Sequence, residues 1–273
     1  MGQILILAQK HKRRSVMNIT AIIPARLAAS RFPNKPMAPI LGMPMIGHVY
    51  FRAKMCSHLD DVWVATCDEE IFNYINFIGG KAVMTADSHQ RASDRAAEAI
   101  VNIEQKENVA VDYVAMIQGD EPMLMPGMIN DLINPVINDP TLKITNLINK
   151  IETEEEFNNY NIIKVVLDLN DFVLYFSREP IPSKRNYSGV LPMWKQLGII
   201  LFEKNLLLEY INLSPTPLEI IESVDMNRLL EHGRRIKMVK TKFKSYGVDV
   251  PGDITFVEEQ LKRDPLVAKY LKV

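Results

Sequence analysis

Ile19-Thr20-Ala21-Ile22-Ile23-Pro24-Ala25-Arg26-Leu27-Ala28-Ala29-Ser30-Arg31-Phe32-Pro33-Asn34-Lys35-Pro36 begins as a short β-branched apolar run and turns at Pro24 into a loop that carries three cations. The run over Ile19 to Ile23 reads as a buried strand, and what surrounds it sets the fold class. Downstream come a helix over Met45 to Met55, a strand over Asp61 to Thr66, and a helix over Glu69 to Ile78 stopped by Gly79-Gly80. A strand over Lys81 to Thr85, a helix over Ala92 to Glu104, a fully apolar strand over Val111 to Gln118 and a helix over Pro126 to Ile137 complete the series. Strands joined by crossover helices predict an α/β fold, a mostly parallel sheet with helices on both faces.

Past residue 140 the rhythm changes. Strands over Lys143 to Lys150, Ile162 to Leu167, Phe172 to Phe176 and Gln196 to Phe202, with few helical patterns between them, predict an inserted antiparallel β region. Asp168-Leu169-Asn170-Asp171 is a hairpin signal and Pro180 to Pro192 a loop. Helical periodicity returns over Pro217 to His232, with Gly233 as its stop, followed by a strand near Ile236 to Lys240 and a last helix from Pro251. Residues 1–17 read as a loosely ordered tail and 18–273 as a single domain.

Lys and Arg total 32 against 33 Asp and Glu, so no overall field draws the chain onto nucleic acid or an anionic bilayer, and any anion must be bound locally. Cys56 and Cys67 make no disulfide framework and, with the five histidines, no zinc pattern, which fits a reducing cytoplasm. No apolar run approaches the roughly 20 residues of a membrane span, so a soluble protein without membrane insertion is expected.

The loop after the first strand crosses the carboxyl end of the sheet, where open α/β sheets bind ligands. Its small residues let a ligand approach the backbone; Arg26 and Arg31 can hold phosphate oxygens in forked geometry, and Lys35 is a compact charge. The bland alternative is a solvated basic loop face. Gln118-Gly119-Asp120-Glu121-Pro122 ends the most apolar strand with an acidic turn beside that loop. A carboxylate there repels a triphosphate unless a cation lies between, and Mg²⁺ takes one or two protein carboxylates and completes its shell with water and phosphate oxygens. Asp249, in Tyr246-Gly247-Val248-Asp249-Val250-Pro251, is either a second such carboxylate or a helix cap. No Gly-x-Gly-x-x-Gly follows the first strand, which argues against a dinucleotide-dependent dehydrogenase.

These motifs, together with Leu174-Tyr175-Phe176-Ser177-Arg178, Pro180-Ile181-Pro182 and Ser214-Pro215-Thr216-Pro217-Leu218-Glu219, occur in an order that resembles the 3-deoxy-D-manno-octulosonate (Kdo) cytidylyltransferases, or CMP-Kdo synthetases, from about Ile19 to Val257. The resemblance implies a nucleotidyltransferase that joins CTP to an acidic sugar, and a homodimer formed through a smaller sugar-binding region at about 141–205. It implies that Arg26, Arg31 and Lys35 bind the triphosphate, that Asp120 and Asp249 hold magnesium with Lys35 beside them in catalysis, and that Gln118 and Arg178 contact the sugar. It places His89, Ser93 and Arg95 near the base and ribose; the alternative there is a helix entrance capped by Ser93 or Asp94.

Three departures from the family pattern stand out. Arg91-Ala92-Ser93-Asp94-Arg95 replaces Ser-Gly-Thr-Asp/Glu-Arg, Gln196 stands for a histidine, and Asp225-Met226 for a Glu-Gln pair. All fall where relatives read the sugar, so two readings stay open: Gln196 and Asp225 serve the same sugar, or the acceptor is a related 2-keto sugar acid. A non-catalytic nucleotide-binding regulatory module is the competing function, and the retained acids at 120 and 249 speak against it.

Overall fold

Ile19, Ala21, Ile23 and Ala25 pack on one face of a sheet and Ile22 on the other, the period-2 alternation of a strand covered on both sides. The computed structural model describes residues 17–28, 32–186, 193–244 and 246–271. Its strands are β1 (Ile19–Ala25), β2 (Pro39–Ile40), β3 (Met43–Pro44), β4 (Asp61–Thr66), β5 (Ala82–Met84), β6 (Tyr113–Ile117), β7 (Ile144–Lys150), β8 (Lys164–Leu167), β9 (Val173–Ser177), β10 (Trp194–Glu203) and β11 (Lys237–Lys240). Its helices are α1 (Met45–Lys54), α2 (Glu69–Phe77), α3 (Ala92–Glu107), α4 (Pro126–Asn138), α5 (Glu154–Asn158), α6 (Lys204–Tyr210), α7 (Pro217–Glu222), α8 (Met226–Glu231) and α9 (Asp253–Leu261).

The main sheet runs β11-β7-β10-β6-β1-β4-β5, with β8 and β9 attached at one end of β10. β5, β4, β1 and β6 are mutually parallel, as are β7 and β11. β10 runs antiparallel to β6, β7 and β8, so the long Trp194–Glu203 strand joins the parallel sheet to the antiparallel region. Helices α1, α2 and α4 bury their apolar sides on one face and α3, α6 and α8 on the other. The mostly parallel sheet with an antiparallel β region expected from the sequence is therefore present, and Asp168 to Asp171 turns the β8–β9 hairpin as expected.

One element differs. The segment expected as a single helix over Pro217 to His232 is two short helices, broken at Ser223, which sits at φ 51° in the left-handed region. The break has a physical cause in the backbone carbonyls of Glu222 and Ser223, which accept from Arg178 Nε and Nη2 instead of continuing a helical ladder. The sequence reading also passed over α5, α6, the β2–β3 ribbon and a 3₁₀ turn at Lys35–Met37. These are pieces too short to show a period. A separate small core of Ile40, Met45, Val248, Val257 and Leu261 packs α9 against the β2–β3 ribbon and so carries the Val248-Asp249 segment to the sheet edge.

Candidate functional site

Two clefts adjoin at the carboxyl end of β1 and β6, sharing Gln118 and Ala92. The first, of about 310 Å³, is lined by Pro24, Ala25, Arg26, Lys35, His89, Arg91, Arg95, Gln118, Gly119 and Asp120. Its walls approach closely because Gly119 has no side chain: a Cβ there would lie 2.9 Å from the Pro24 carbonyl oxygen. The loop out of β1 is closed by Asn34 N–H donating to the Leu27 carbonyl at 3.0 Å, with Asn34 at φ 60°, a conformation its side chain tolerates. That turn delivers Lys35, whose ammonium donates to Asp120 Oδ2 at 2.6 Å and to the Val248 carbonyl at 2.8 Å. Val248 N–H in turn donates to the Asp120 carbonyl at 2.9 Å, so three distant segments meet at one acid–cation pair.

Arg26 is held loosely, Nη1 donating to the His89 carbonyl at 3.4 Å. His89 pairs with Glu98, whose carboxyl is held below the usual range: burial opposes this, and the Ala86 N–H and His89 outweigh it. Arg95 is buried, with Nη1 on Thr85 Oγ1 at 2.5 Å and on the Ala86 carbonyl at 3.2 Å, while Nη2 has no partner among the described residues. Asp249 is exposed. Asp249 is not the cap of α9, whose N-cap is Gly252 with no side-chain cap bond, and Asp253 Oδ2 accepts from the N–H of Asp249 and Val250. Asp249 follows Val248, the residue bonded to both Lys35 and Asp120, in the chain, and lines neither cleft.

The second cleft, of about 220 Å³, is lined by Ser93, Gln118, Ile163, Gln196, Gly198, Ser223, Asp225, Met226 and apolar neighbours. Ser93 falls here and not with the first cleft, and its buried Oγ has no partner among the described residues. Neither Ser93 nor Asp94 caps α3, whose N-cap is Arg91 with no side-chain cap bond. Gln196 and Asp225-Met226, two of the three departures from the family pattern, both line this cleft. Burial pushes the Asp225 carboxyl above its ordinary value, Arg91 countering and Asp94 adding to the effect.

Residues to which the sequence assigned no role support this cleft. Arg91 Nη2 donates to Glu219 Oε1 at 2.8 Å and its Nε lies 3.9 Å from Asp225 Oδ1. Glu219 is also gripped by Arg228, Nε at 2.7 Å and Nη2 at 2.6 Å, in a pair almost closed to solvent. Asn146 bonds to Gln196 from behind. A polar residue inside the apolar Ile144-Thr145-Asn146-Leu147-Ile148 run was the available signal for it.

Arg178 lines neither cleft. Its Nε donates to the Glu222 carbonyl at 2.9 Å and its Nη2 to that of Ser223 at 3.1 Å, while Nη1 reaches the carbonyls of Tyr160 and Asn161. The guanidinium is thus a clamp on the end of α7, the carbonyl-rich terminus that attracts a cation. Arg31 lies outside the described residues. Among the described residues no group of three or more His, Cys, Asp or Glu could hold a metal, and no helix is long and apolar enough to cross a membrane.

Comparison with known proteins agrees with this geometry. A family model described as cytidylyltransferase matches residues 20–236. The 3-deoxy-manno-octulosonate cytidylyltransferase of Geobacter metallireducens is 38% identical over 257 residues, 90% of this chain and 99% of its own. That of Thermodesulfovibrio yellowstonii is 40% identical over 247 residues, 88% of this chain and 96% of its own. A solved CMP:2-keto-3-deoxy-manno-octonic acid synthetase complexed with CTP superposes with a TM-score of 0.84 at 34% identity, covering 90% of this chain and 99% of its own. A 4-diphosphocytidyl-2C-methyl-D-erythritol synthase from Anaerococcus prevotii, at 15% identity and TM-score 0.58, shares the fold.

Proposed function

The chain belongs to the cytidylyltransferase family, and from that premise we propose that it couples CTP to Kdo or a closely related 2-keto sugar acid, giving the CMP-sugar and pyrophosphate. The observation that carries this reading is the pair of clefts meeting at Gln118, one cationic with Lys35 on Asp120, the other lined by hydroxyl, amide and carboxylate groups among apolar side chains. A triphosphate fits the first and a polyhydroxylated acid the second.

In the reaction, the anomeric hydroxyl of the sugar attacks the α-phosphorus of CTP and pyrophosphate leaves from the opposite side. Such a transfer needs alignment and charge neutralisation more than covalent help. Arg26 and Lys35, with Arg31, neutralise the leaving pyrophosphate. His89 and Arg95 border the nucleoside, the unpaired arm of Arg95 offering a donor. Asp225 in the second cleft repels a carboxylate, so the sugar enters with its carboxylate and anomeric carbon toward the cations of the first cleft, Lys35 among them. Ser93, Gln118, Gln196 and Asp225 then meet its hydroxyls. Arg178 serves by seating the Ser223-Val224-Asp225 wall.

The Lys35–Asp120 contact tests the fit of a cation: the carboxylate holds a positive charge at 2.6 Å and would exchange an ammonium for a metal when phosphates draw Lys35 away. Asp120 and Asp249 would hold Mg²⁺, which when bound supplies Lewis-acid charge at the reacting phosphate. Leu174 on β9 and Ile220 and Ile221 on α7 are exposed apolar residues on adjoining elements and support a homodimer contact there. A cytoplasmic location fits the two free cysteines.

The test is pyrophosphate release with CTP or UTP, Mg²⁺ and a panel of 2-keto sugar acids. Release that requires both CTP and one sugar acid is expected. CTP binding without release for any sugar would instead make the chain a nucleotide-binding regulatory module.

A further inference from the structure

Between Gln196 and Ile200 the pairing of β10 with β7 loses register: Gln196 faces Ile148, yet Ile200 faces Asn146, so the stretch of β10 around Gly198 bulges from the ladder. Carbonyls in a bulge lose their strand partners and, where buried, need another donor. Asn146 on β7 supplies it. Fully buried, it donates through Nδ2 to the Leu197 carbonyl at 2.8 Å and to the Ile199 carbonyl at 2.9 Å, one on each side of Gly198.

This arrangement fixes the rest of the amide. With Nδ2 committed to carbonyl oxygens, Asn146 can present only its oxygen to Gln196, and Gln196 Nε2 donates to it at 2.7 Å. The other end of the Gln196 amide, Oε1, bonds to no described residue, in a side chain that lines the second cleft. The bulge held by Asn146 also seats Gln118, the residue common to both clefts. A Cβ on Gly198 would fall 2.6 Å from Gln118 Cγ, so the Gln118 side chain lies directly against the backbone that Asn146 pins.

We propose that Asn146 is the positioning residue of the sugar-binding cleft, fixing Gln196 with its carbonyl oxygen turned to the cleft so that the acceptor sugar must offer a hydroxyl donor there. Asn146 touches neither substrate; it acts through Gln196 directly and through the Gly198 bulge on Gln118. The inference rests on the reading of the second cleft as the sugar site.

The experiment compares Asn146→Leu, Gln196→Met and the double variant, reading the KM for the preferred sugar acid, the Kd for CTP and the thermal midpoint. Each single variant is expected to raise the sugar KM about tenfold, the cost of one hydrogen bond lost to substrate, with CTP affinity within about twofold of the parent. The double variant should be no worse than the worse single, because both remove the same acceptor. Should Asn146→Leu fail to fold, Asn146→Ser, which keeps a short donor, takes its place. Additive KM effects, an equal loss of CTP affinity, or an unchanged sugar KM would each overturn the positioning role, whatever happens to the thermal midpoint. A parent protein that binds CTP but releases pyrophosphate with no sugar acid defeats the reading of the site instead, before Asn146 is altered.

Discussion

The cations of the two clefts are held in opposite ways. In the first cleft Lys35 rests on one partly exposed carboxylate and one backbone carbonyl, and Arg26 on a single long bond to the His89 carbonyl. Behind the second cleft Arg228 is locked on Glu219 and Arg178 is spent on backbone carbonyls, while Arg91, on the wall of the first, is divided between Glu219 and Asp225. Lys35 and Arg26 are held lightly enough to exchange partners for an anion, while these three build walls. An arginine near a site is therefore a ligand only if its present bonds are cheaper than those the substrate offers.

The sharpest way to break this contrast is to remove an acid from each side. Glu219→Leu would strand two arginines, one of them almost closed to solvent. The Glu219 carboxyl is itself pushed above its usual value by burial. Loss of one partner of a buried pair costs about 3–5 kcal/mol, so chemical denaturation should show a loss of that order and activity should fall with folding. A fall of activity at unchanged stability would mean that Glu219 belongs to the chemistry and not to the wall.

Asp120→Asn should behave in reverse. The carboxylate is one-third exposed and its partner Lys35 keeps the Val248 carbonyl, so the fold should persist with little change in thermal midpoint. Turnover should drop by at least roughly a hundredfold, the size expected for loss of a principal electrostatic group. Steady-state pyrophosphate release alongside a melting curve checks both halves. Near-parental turnover would remove Asp120 from the metal-binding assignment.

Much of this contrast was legible before any coordinates. The β1 loop, Asp120 and the mostly parallel character of the sheet follow from periodic apolar runs and turn residues, which act locally. The sequence could not show that Arg178 is consumed by α7 carbonyls, since its partners lie 17 to 45 residues away and are backbone atoms without a residue signature. The break at Ser223 was hidden for the same reason: the segment keeps helical spacing through a left-handed residue. Ser93, which the resemblance puts near the base and ribose, lines the second cleft, next to Ala92, which lines both. Asn146 stood in plain view as a polar residue in an apolar strand, yet its purpose appears only once the β10 bulge is seen.

Asp225 gives the smallest effect and tests whether the sugar side holds any cation in reserve. Its side chain is about half exposed, and the hydration it loses on the side facing the fold raises its carboxyl; Arg91 pulls it down from 3.9 Å, but the shorter Arg91 bond goes to Glu219, and Asp94 pushes it up. The folded protein thus binds this proton more tightly than the unfolded chain. Stability contributed by protonated Asp225 is present below the ordinary carboxylate value of about 4 and is lost as pH rises through the raised folded value. Asp225→Asn carries no such cost. The thermal midpoint of the parent minus that of Asp225→Asn, followed across this acidic range, should therefore decline with rising pH and then level off. Subtraction removes the opposing carboxylates common to both proteins, such as Glu222, which is held low by Arg178 N–H, Tyr175 and Ser177 despite burial. A difference that instead grows with pH would show Arg91 holding Asp225 ionised, and so a free cation on the sugar side for an incoming carboxylate to compete for.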